Sequence, residues 1–501
     1  MKMKSIMTRV LCLSLSRVMV LGLTACGNDA GTTSSSKKAE LLSMEVRPET
    51  PEEIPDGLDI DWNHRYTYAE LESQLSTMAE TYPDITNLYP IGTSWQERSL
   101  WCLEITNKNI PAEEKTGIGV FANIHGDERE SAACAMYTAW WMTLCSSDEY
   151  VKGLLDNYII YVIPVINPDS YERSFVVKTR ETLHPLDKNG DGVPYNDPCT
   201  DIDGDGLIST IYRGTADMDP ATNGRNAAMT RFGKESPDWD GNGIMGDDDF
   251  NSDIDPNRNF EYTWNYNDVT TDVEGKDVIG GDAGDWNGTS PASEPEVRAV
   301  QEFLKKHPMD ALVSIHTNIQ AVLYPWCYRN IDENNPQDAD LSFMAEVAEQ
   351  MAGVFSDVTG RKYYSLNSWA DYPTNAELID YAYGKFGIHA YTIECYCGGT
   401  VEQNDGDEYC WGNEMPAPKW TFYSQDDIRE KFNMDPTTLT DKNGVGLAEN
   451  EGLWFYIGSY NQNKDAPKDQ DLIVKGALDT ILTMIHTEPY GEGYHLPEYY
   501  K

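Results

Sequence analysis

The residues best suited by type and spacing to do chemistry are a histidine and a glutamate three positions apart, His125 and Glu128. Zinc binds imidazole nitrogen and carboxylate oxygen, and a catalytic zinc has three protein ligands and an open fourth position. His316 could supply the third ligand, and Glu394 could act as a general base. A His and a Glu at this spacing also arise by chance, for example at a capped helix start. Together with the two later residues, the pattern favours metal-assisted hydrolysis.

Short apolar runs precede these residues and predict the strands that position them. Residues 118–124 are apolar and β-branched and end directly before His125, whereas residues 129–145 are typical of a helix rich in Ala, Met and Trp. His316 and Glu394 also follow short apolar runs. We therefore expect the site at the carboxyl ends of strands in an α/β sheet.

The order of these motifs resembles that of zinc carboxypeptidases of the pancreatic carboxypeptidase A type. The resemblance extends from about Tyr66 to Thr487, and four motifs carry it: HGDE at 125–128, DPNRNF at 255–260, SIHT at 314–317 and IECY at 393–396. Tyr372 precedes Glu394 by 394 − 372 = 22 residues, the family's spacing for its mobile active-site tyrosine. The resemblance implies one α/β domain with a twisted, mixed eight-stranded sheet and helices on both faces.

The resemblance also implies a catalytic mechanism. His125, Glu128 and His316 would hold Zn²⁺, and Glu394 would take a proton from water and later pass it to the leaving amine. The implied enzyme is a metallocarboxypeptidase that hydrolyses C-terminal peptide bonds of peptides or proteins. The alternatives are a zinc peptidase that acts on peptidoglycan stem peptides and a catalytically inactive binding protein of the same fold.

Four further residues are assigned to the substrate by the same resemblance. Asn257 and Arg258 would bind the terminal carboxylate, and Tyr372 would close over it. Ile379 would face the side chain of the departing residue. It predicts a preference for aromatic or aliphatic C-termini, because burying an unpaired Lys or Arg is costly. Glu377, two residues earlier, is an acidic group that could reverse this preference.

Two positions depart from the family pattern. Asp127 stands where pancreatic members have an arginine, and Val177 stands where the family has the arginine that polarises the scissile carbonyl. Arg180, or Arg213 from the following insertion, could supply that charge, or the step could be weaker. An electrostatic donor of this kind is worth about 2.7–4 kcal/mol, so we expect some group to take this role. We favour Arg180.

The N-terminal residues predict an exported, lipid-anchored protein. Residues 1–25 combine a basic start with a short apolar stretch, and the sequence LTAC resembles a bacterial lipobox. Cys26 would be the lipidated first residue, and residues 26–61 would form a flexible tether. No later segment is long and apolar enough to cross a bilayer. The expected location is the extracellular face of a bacterial cell membrane.

Composition limits the partners of the chain. It has 501 residues and a net charge of −45, which argues against nucleic acid or an anionic membrane surface as a partner. We expect a monomer. The catalytic domain is assigned to residues 62–487, with insertions at 181–253 and 398–467, and residues 488–501 form a tail. The ten cysteines show no CxxC zinc pattern, and disulfides are compatible with export.

Asp/Gly loops in the first insertion resemble calcium-binding loops. Calcium takes six to eight oxygen ligands, and a carboxylate at position twelve of such a loop is usually a main ligand. The loop from 238 to 249 is the most complete because Asp249 stands at position twelve. Solvated Asp/Gly turns are the alternative, and a structural ion is favoured over a sensor. The candidate calcium ligands are Asp201, Asp203, Asp205, Asp238, Asp240, Asn242 and Asp249.

Overall fold

Two principal sheets organise the part of the chain that the structure describes. The computed structural model describes residues 42–218, 229–250, 252–264, 270–271, 277–278, 287–332, 334–397, 418–458, 466–467 and 469–488. Cys26, the predicted signal peptide and residues 489–501 of the predicted tail lie outside these ranges.

The strands and helices have the following bounds. The strands are β1 (Thr86–Thr93), β2 (Ser99–Ile105), β3 (Thr116–Ala122), β4 (Tyr158–Ile163), β5 (Thr210–Thr215), β6 (Thr230–Lys234), β7 (Thr270–Thr271), β8 (Asp277–Val278), β9 (Met309–His316), β10 (Ala321–Tyr324), β11 (Tyr364–Asn367), β12 (His389–Glu394), β13 (Lys419–Tyr423) and β14 (Glu451–Ile457). The helices are α1 (Tyr68–Thr81), α2 (Arg129–Leu144), α3 (Glu149–Asn157), α4 (Pro168–Arg173), α5 (Pro295–Lys306), α6 (Leu341–Thr359), α7 (Ser368–Asp371), α8 (Leu378–Phe386), α9 (Gln425–Lys431) and α10 (Gln470–Thr487). Short 3₁₀ turns lie at Met44–Val46, Ala112–Glu114, Pro256–Arg258 and Pro336–Asp338.

The main sheet has eight strands in the order β1-β2-β4-β3-β9-β12-β10-β11. Its centre is parallel, because β3 pairs in parallel with both β4 and β9, and β9 pairs in parallel with β12. The β1–β2, β2–β4 and β10–β12 pairs are antiparallel. The predicted mixed eight-stranded sheet is therefore confirmed.

Helices cover both faces of this sheet, as predicted. Successive residues of β3 point to opposite sides: Ile118 and Val120 belong to the core formed with α2 and α10, whereas Phe121 belongs to the core formed with α5 and α8. Helix α2 is buried along almost its whole length. A helix that is covered on every side is expected to be apolar all round, which explains its Ala, Met and Trp content. Among the described helices, none has the length and apolar character needed to span a membrane.

The predicted flexible tether is wrong for the part that the structure describes. From residue 42 onward this segment packs on the catalytic domain. Leu58 is fully buried, and its carbonyl accepts a hydrogen bond from Trp140 Nε1 at 2.7 Å. Arg47 Nε lies 2.7 Å from Asp479 Oδ1 on α10. Apolar residues such as Leu58 gain free energy by burial, and the polar composition of the segment concealed them.

The two predicted insertions pair with each other. Strands β5 and β6 come from the first insertion and β13 and β14 from the second, and they form a four-stranded antiparallel sheet in the order β13-β14-β5-β6. We call it the second sheet. It has its own core, formed by Ile211, Phe232, Met245, Ile428, Leu439, Leu453 and Phe455.

Backbone hydrogen bonds join the two ends of the first insertion. Thr182 N donates to Ile254 O at 3.0 Å, and Ser252 N donates to Thr182 O at 3.3 Å. Just outside this pair, Arg180 Nη2 donates to Asp255 Oδ2 at 2.5 Å. The residues at the two ends of the insertion are therefore hydrogen-bonded to each other. The chain leaves and re-enters the main domain at neighbouring positions.

Candidate metal centre and substrate-binding site

Three neighbouring strands bring the predicted catalytic residues to one edge of the main sheet. His316 and Glu394 are the last residues of β9 and β12, and they lie opposite each other in register. His125 follows the end of β3 by three residues. Because β3, β9 and β12 are parallel neighbours, their carboxyl ends meet at the same edge.

Asn123 shapes the loop that presents His125. The predicted strand over residues 118–124 ends early, at Ala122, because Asn123 adopts a positive φ of 54°. The Asn123 side chain is fully buried, and its Nδ2 donates to the carbonyls of His125 and Glu128 at 3.0 Å each. The loop is thereby fixed before α2 begins, so that the two side chains point to one place.

The three predicted ligands form one buried cluster. Glu128 lies between the histidines: its Oε1 is 2.8 Å from His125 Nδ1, and its Oε2 is 3.1 Å from His316 Nδ1. One ligand atom from each residue lies within 4.8 Å of the others, and all three residues are at most 3% exposed. Two imidazole nitrogens and one carboxylate oxygen match the donor set of a catalytic zinc site with three protein ligands.

Outer contacts fix the orientation of these side chains. His125 Nε2 lies 3.0 Å from Asp255 Oδ1, and His316 Nε2 lies 3.0 Å from Ser314 Oγ. Each histidine therefore has one nitrogen directed towards Glu128 and the other held by an oxygen. Partners of this kind set the tautomer and ring position of metal-binding histidines. Asp255 was not recognised as such a partner from the sequence, although it opens the DPNRNF motif.

The electrostatics of the cluster favour a cation. Burial and the Arg180 guanidinium act to lower the pKa of His125, but the carboxylates of Asp255 and Glu128 outweigh them and raise it to about 9. The pKa of Glu128 is lowered below its usual range despite burial, because the two histidines face it. The anionic side chains thus stabilise positive charge at the place where the three ligand atoms converge, which suits a divalent metal ion.

Glu394 differs from the ligands in its surroundings. Its Oε2 is buried and has no hydrogen-bond partner among the described residues. Burial and the neighbouring Glu128 carboxylate raise the pKa of Glu394 well above its ordinary value. A carboxyl group with a raised pKa and a free oxygen beside the ligand cluster is suited to accept and return a proton.

The structure separates the two candidate arginines. Arg180 Nη1 lies 3.8 Å from Glu128 Oε1, and Arg180 Nε donates to Asp255 Oδ2 at 3.1 Å. Arg213 lies on β5 of the second sheet, where its Nη1 donates to the carbonyl of Gly446 at 3.1 Å. Arg180 therefore borders the ligand cluster, whereas Arg213 is engaged within the second sheet.

A buried arginine marks the predicted end of the substrate site. The Arg258 side chain is 1% exposed, and its Nη2 donates to Tyr372 Oη at 3.3 Å. Tyr372 is 45% exposed, as a residue that closes over a ligand would be. Asn257 precedes Arg258 on the same 3₁₀ turn, and its Oδ1 accepts from the Leu378 N–H at 3.0 Å. The structure brings these predicted residues together.

The residues predicted to set side-chain preference lie at the start of α8. Ile379 is 1% exposed and packs in the core between the main sheet and α5. Glu377 points instead towards the polar end of the site, where its Oε1 lies 3.1 Å from Arg258 Nη1. The acidic group that complicated the apolar prediction is therefore in contact with Arg258, the arginine predicted to bind the terminal carboxylate.

Comparison with known proteins identifies the family. Residues 71–415 match a family model described as zinc carboxypeptidase. The chain belongs to this family. The chain is 25% identical over 396 residues to zinc carboxypeptidase A 1 of Drosophila melanogaster, an alignment that covers 76% of this chain and 73% of the fly protein. It is 23% identical over 363 residues to human mast cell carboxypeptidase A, with 71% and 69% covered.

The chain is also similar to a solved structure. The crystal structure of carboxypeptidase A from Helicoverpa armigera aligns with a TM-score of 0.47 at 18% identity and covers 70% of this chain and 69% of that chain. Family membership makes this protein a peptidase and supports Zn²⁺ as its metal. The cluster of His125, Glu128 and His316 is the group suited to hold it.

The candidate calcium ligands of this carboxypeptidase are only partly brought together. Asp201 and Asp203 cluster with Glu235, and Asp238 and Asp240 cluster with Asp197. Neither Glu235 nor Asp197 was predicted as a ligand, because neither belongs to the loops that begin at Asp201 and Asp238.

Three other candidate calcium ligands have different partners. Asp249, the predicted position-twelve ligand, forms ion pairs with Arg173 at 2.5 Å and Lys234 at 3.2 Å. Asp205 pairs with Lys419. Asn242 donates through its Nδ2 to Asp240 Oδ2 at 2.8 Å. The predicted ligand role of Asp249 is wrong, because two cations already neutralise this buried carboxylate.

Proposed function

We propose that this zinc carboxypeptidase removes the last residue of peptides, with Glu394 as the general base. The observation that carries the proposal is the position of Glu394, which lies in register with the ligand His316 and has a buried, unpartnered Oε2. When bound, zinc supplies a Lewis acid that lowers the pKa of water to about 7. Glu394 takes the proton from the attacking water and returns it to the leaving amine.

The other residues bind and orient the substrate. Arg258 receives the terminal carboxylate, and Tyr372, which reaches Arg258 Nη2 at 3.3 Å, covers it. Arg180, 3.8 Å from Glu128, is the cation placed to stabilise the negative charge that develops on the scissile carbonyl oxygen. Asp255 orients both Arg180 and His125, since it contacts each of them. Positioning and charge stabilisation together account for the proposed catalysis.

The test uses purified protein with a known metal content. We expect about one zinc per chain and release of the last residue from peptides with a free C-terminus. The same peptides with an amidated C-terminus should be poor substrates, because they lack the carboxylate that Arg258 binds. Chelation should abolish turnover and added zinc should restore it. Zinc-loaded protein that binds peptides without cleaving them would instead identify an inactive binding protein. Preferential cleavage of peptidoglycan stem peptides would favour the cell-wall alternative.

We also propose that the protein is exported and lipid-anchored through Cys26. Support comes from the basic start and lipobox-like LTAC of the sequence, and from the disulfide bond of Cys397, since disulfides persist in oxidising compartments. Replacing Cys26 with Ala should release the protein from the membrane fraction or leave it unprocessed. A wild-type mature chain that begins elsewhere and has no lipid would refute the anchor.

A structural calcium ion in the first insertion is proposed with a revised ligand set. Asp201, Asp203 and Glu235 offer oxygen atoms within 4.8 Å of one another. Mutual repulsion and burial act against three carboxylates at one place, and burial raises the pKa of Glu235 to about 7. A divalent cation would offset both costs.

A further inference from the structure

The carboxylate-binding arginine of this enzyme already has an anionic partner. Arg258 Nη1 lies 3.1 Å from Glu377 Oε1. The second oxygen of Glu377 lies 3.4 Å from Asn257 Nδ2 and 3.4 Å from Cys327 Sγ. The Thr374 hydroxyl donates to Glu377 Oε1. Glu377 is therefore held among the same residues that are assigned to the end of the substrate.

Because Arg258 and Glu377 are buried, an unpaired charge added next to them is costly. Arg258 is 1% and Glu377 8% exposed. An ion pair of this kind is neutral overall, and an added charge that stays unpaired in such a place is costly. A substrate adds one carboxylate at Arg258. One guanidinium then faces two carboxylates, and the surplus is one negative charge.

A cationic side chain on the departing residue would restore the balance. We propose that Glu377 makes this carboxypeptidase select peptides whose last residue has a cationic side chain. The inference rests on the proposed function, because it assumes that Arg258 binds the terminal carboxylate. In the complex, Arg258 pairs with that carboxylate and Glu377 pairs with the substrate cation. Two positive and two negative charges then share the pocket.

The neighbouring residues do not supply this anion. Ile379, which predicted an apolar preference, is almost fully covered in the core. Asp380 is also buried, but both of its oxygens accept the Cys327 N–H at 3.0 Å. Burial, reinforced by the Glu377 charge, raises the pKa of Asp380 to about 8. Glu377, the residue directly before α8, is thus the carboxylate that contacts Arg258.

A second role for Glu377 predicts different behaviour. If Glu377 only held Arg258 in position, its loss would weaken every substrate to the same extent. If it pairs with the departing residue, its loss would weaken cationic substrates selectively. The ratio of two substrates that differ only in that charge separates the two roles.

The experiment compares peptides that end in lysine with peptides that end in norleucine, its uncharged near-isostere. For the wild-type enzyme we expect kcat/KM to favour lysine by at least about tenfold, the scale of a buried charge pair. The Glu377→Gln variant should lose this preference, because kcat/KM should fall much more for the lysine peptide than for the norleucine peptide. The Asp380→Asn variant is the matched control, since it removes a buried carboxyl group from the same helix, and it should keep the lysine preference.

Three results would overturn the inference: a wild-type preference for norleucine, an equal loss of both substrates in Glu377→Gln, or an equal loss of preference in Asp380→Asn. A binding measurement separates this failure from failure of the proposed function. Calorimetry of zinc-loaded Glu394→Gln with the two peptides reports the preference without turnover. The wild type could cleave neither peptide while the peptide that ends in lysine still binds more tightly than the norleucine peptide, in a way that depends on Glu377. In that case the proposed catalysis fails and the proposed selectivity stands.

Discussion

At the candidate metal centre of His125, Glu128 and His316, the residues come from short motifs at the ends of adjacent strands. The second sheet instead joins strands from two insertions that lie far apart in the chain. Charge dominates the first region, where each ligand contacts another ligand or a fixed oxygen. Apolar packing dominates the second, whose core is formed by residues such as Phe232 and Leu453.

This difference separates catalysis from stability. Distances between charged atoms at the metal centre decide whether it binds an ion and a substrate, so that small displacements should have large effects on rate. The second sheet contributes buried area, which depends less on the identity of single atoms.

The largest effect is expected at Glu394. The Glu394→Gln variant keeps the shape of the side chain but cannot take up a proton. We expect kcat to fall by about two to four orders of magnitude, with zinc content unchanged because Glu394 is not a ligand. Kinetics and metal analysis of the same preparation check both statements. Loss of zinc, or undiminished turnover, would assign Glu394 a different role.

A pair of core substitutions tests whether the two regions are separable. Phe232→Ala in the second sheet and Phe121→Ala in β3 each remove a buried aromatic side chain, at a cost of about 3–5 kcal/mol. Denaturant unfolding should report a loss in both. Only Phe121→Ala should also lower kcat/KM of the folded protein, because β3 leads directly to His125. Equal loss of activity in both variants would contradict the separation.

Arg180, beside the candidate metal centre, and Arg213, in the second sheet, provide a matched pair of substitutions for comparing the two regions. Arg180→Gln removes the cation beside Glu128 and should lower kcat/KM by about 100-fold or more, equivalent to about 2.7–4 kcal/mol. Arg213→Gln, in the second sheet, should leave kcat/KM within about twofold. The reverse result would show that the second sheet supplies the missing charge, as the other sequence-based alternative predicts.

Calcium should act only on the second region, and with the smallest effect. Added calcium is expected to raise Tm by about 1 °C for each kcal/mol of binding free energy in a domain of this size, and Asp201→Asn should remove most of the rise. The pKa of Glu235 is about 7 in the folded state against 4.5 ordinarily. Without the ion, stability is therefore lost as pH rises from about 4.5 through 7.

Calcium should accordingly raise Tm more at pH 8 than at pH 5.5, because only the ionised Glu235 binds it strongly. Melting curves at the two pH values, with calcium and with a chelator, provide the measurement. An unchanged Tm across millimolar calcium at both pH values would exclude the site.

The sequence was sufficient to predict what short motifs and periodicity encode. The strands that end at His316 and Glu394 and the grouping of His125 with Glu128 follow from local patterns, whereas the mixed eight-stranded sheet was implied by the family resemblance. Arg180 was favoured over Arg213, and the structure places it beside Glu128. These features are local because backbone periodicity and ligand spacing are properties of adjacent residues.

Contacts between distant segments were not predictable in the same way. Glu235 lies close to Asp201 because it follows β6, which packs near the loop that contains Asp201. Asp249 is neutralised by Arg173, which lies on α4. Leu58 was assigned to a flexible tether because the composition of this segment does not reveal its contact with Trp140 on α2. Each of these depends on long-range packing, which one sequence without its fold does not specify.

The pairing of β5 with β14 also fixes an order of events during folding. Thr215 lies opposite Glu451, so most of the catalytic domain must emerge before β5 finds this neighbour. Until then β5 has only β6, and a two-stranded ribbon is marginally stable in water. Its apolar face, with Ile211 and Phe232, stays exposed to other chains. The net charge of −45 provides a repulsion between nascent copies during this interval.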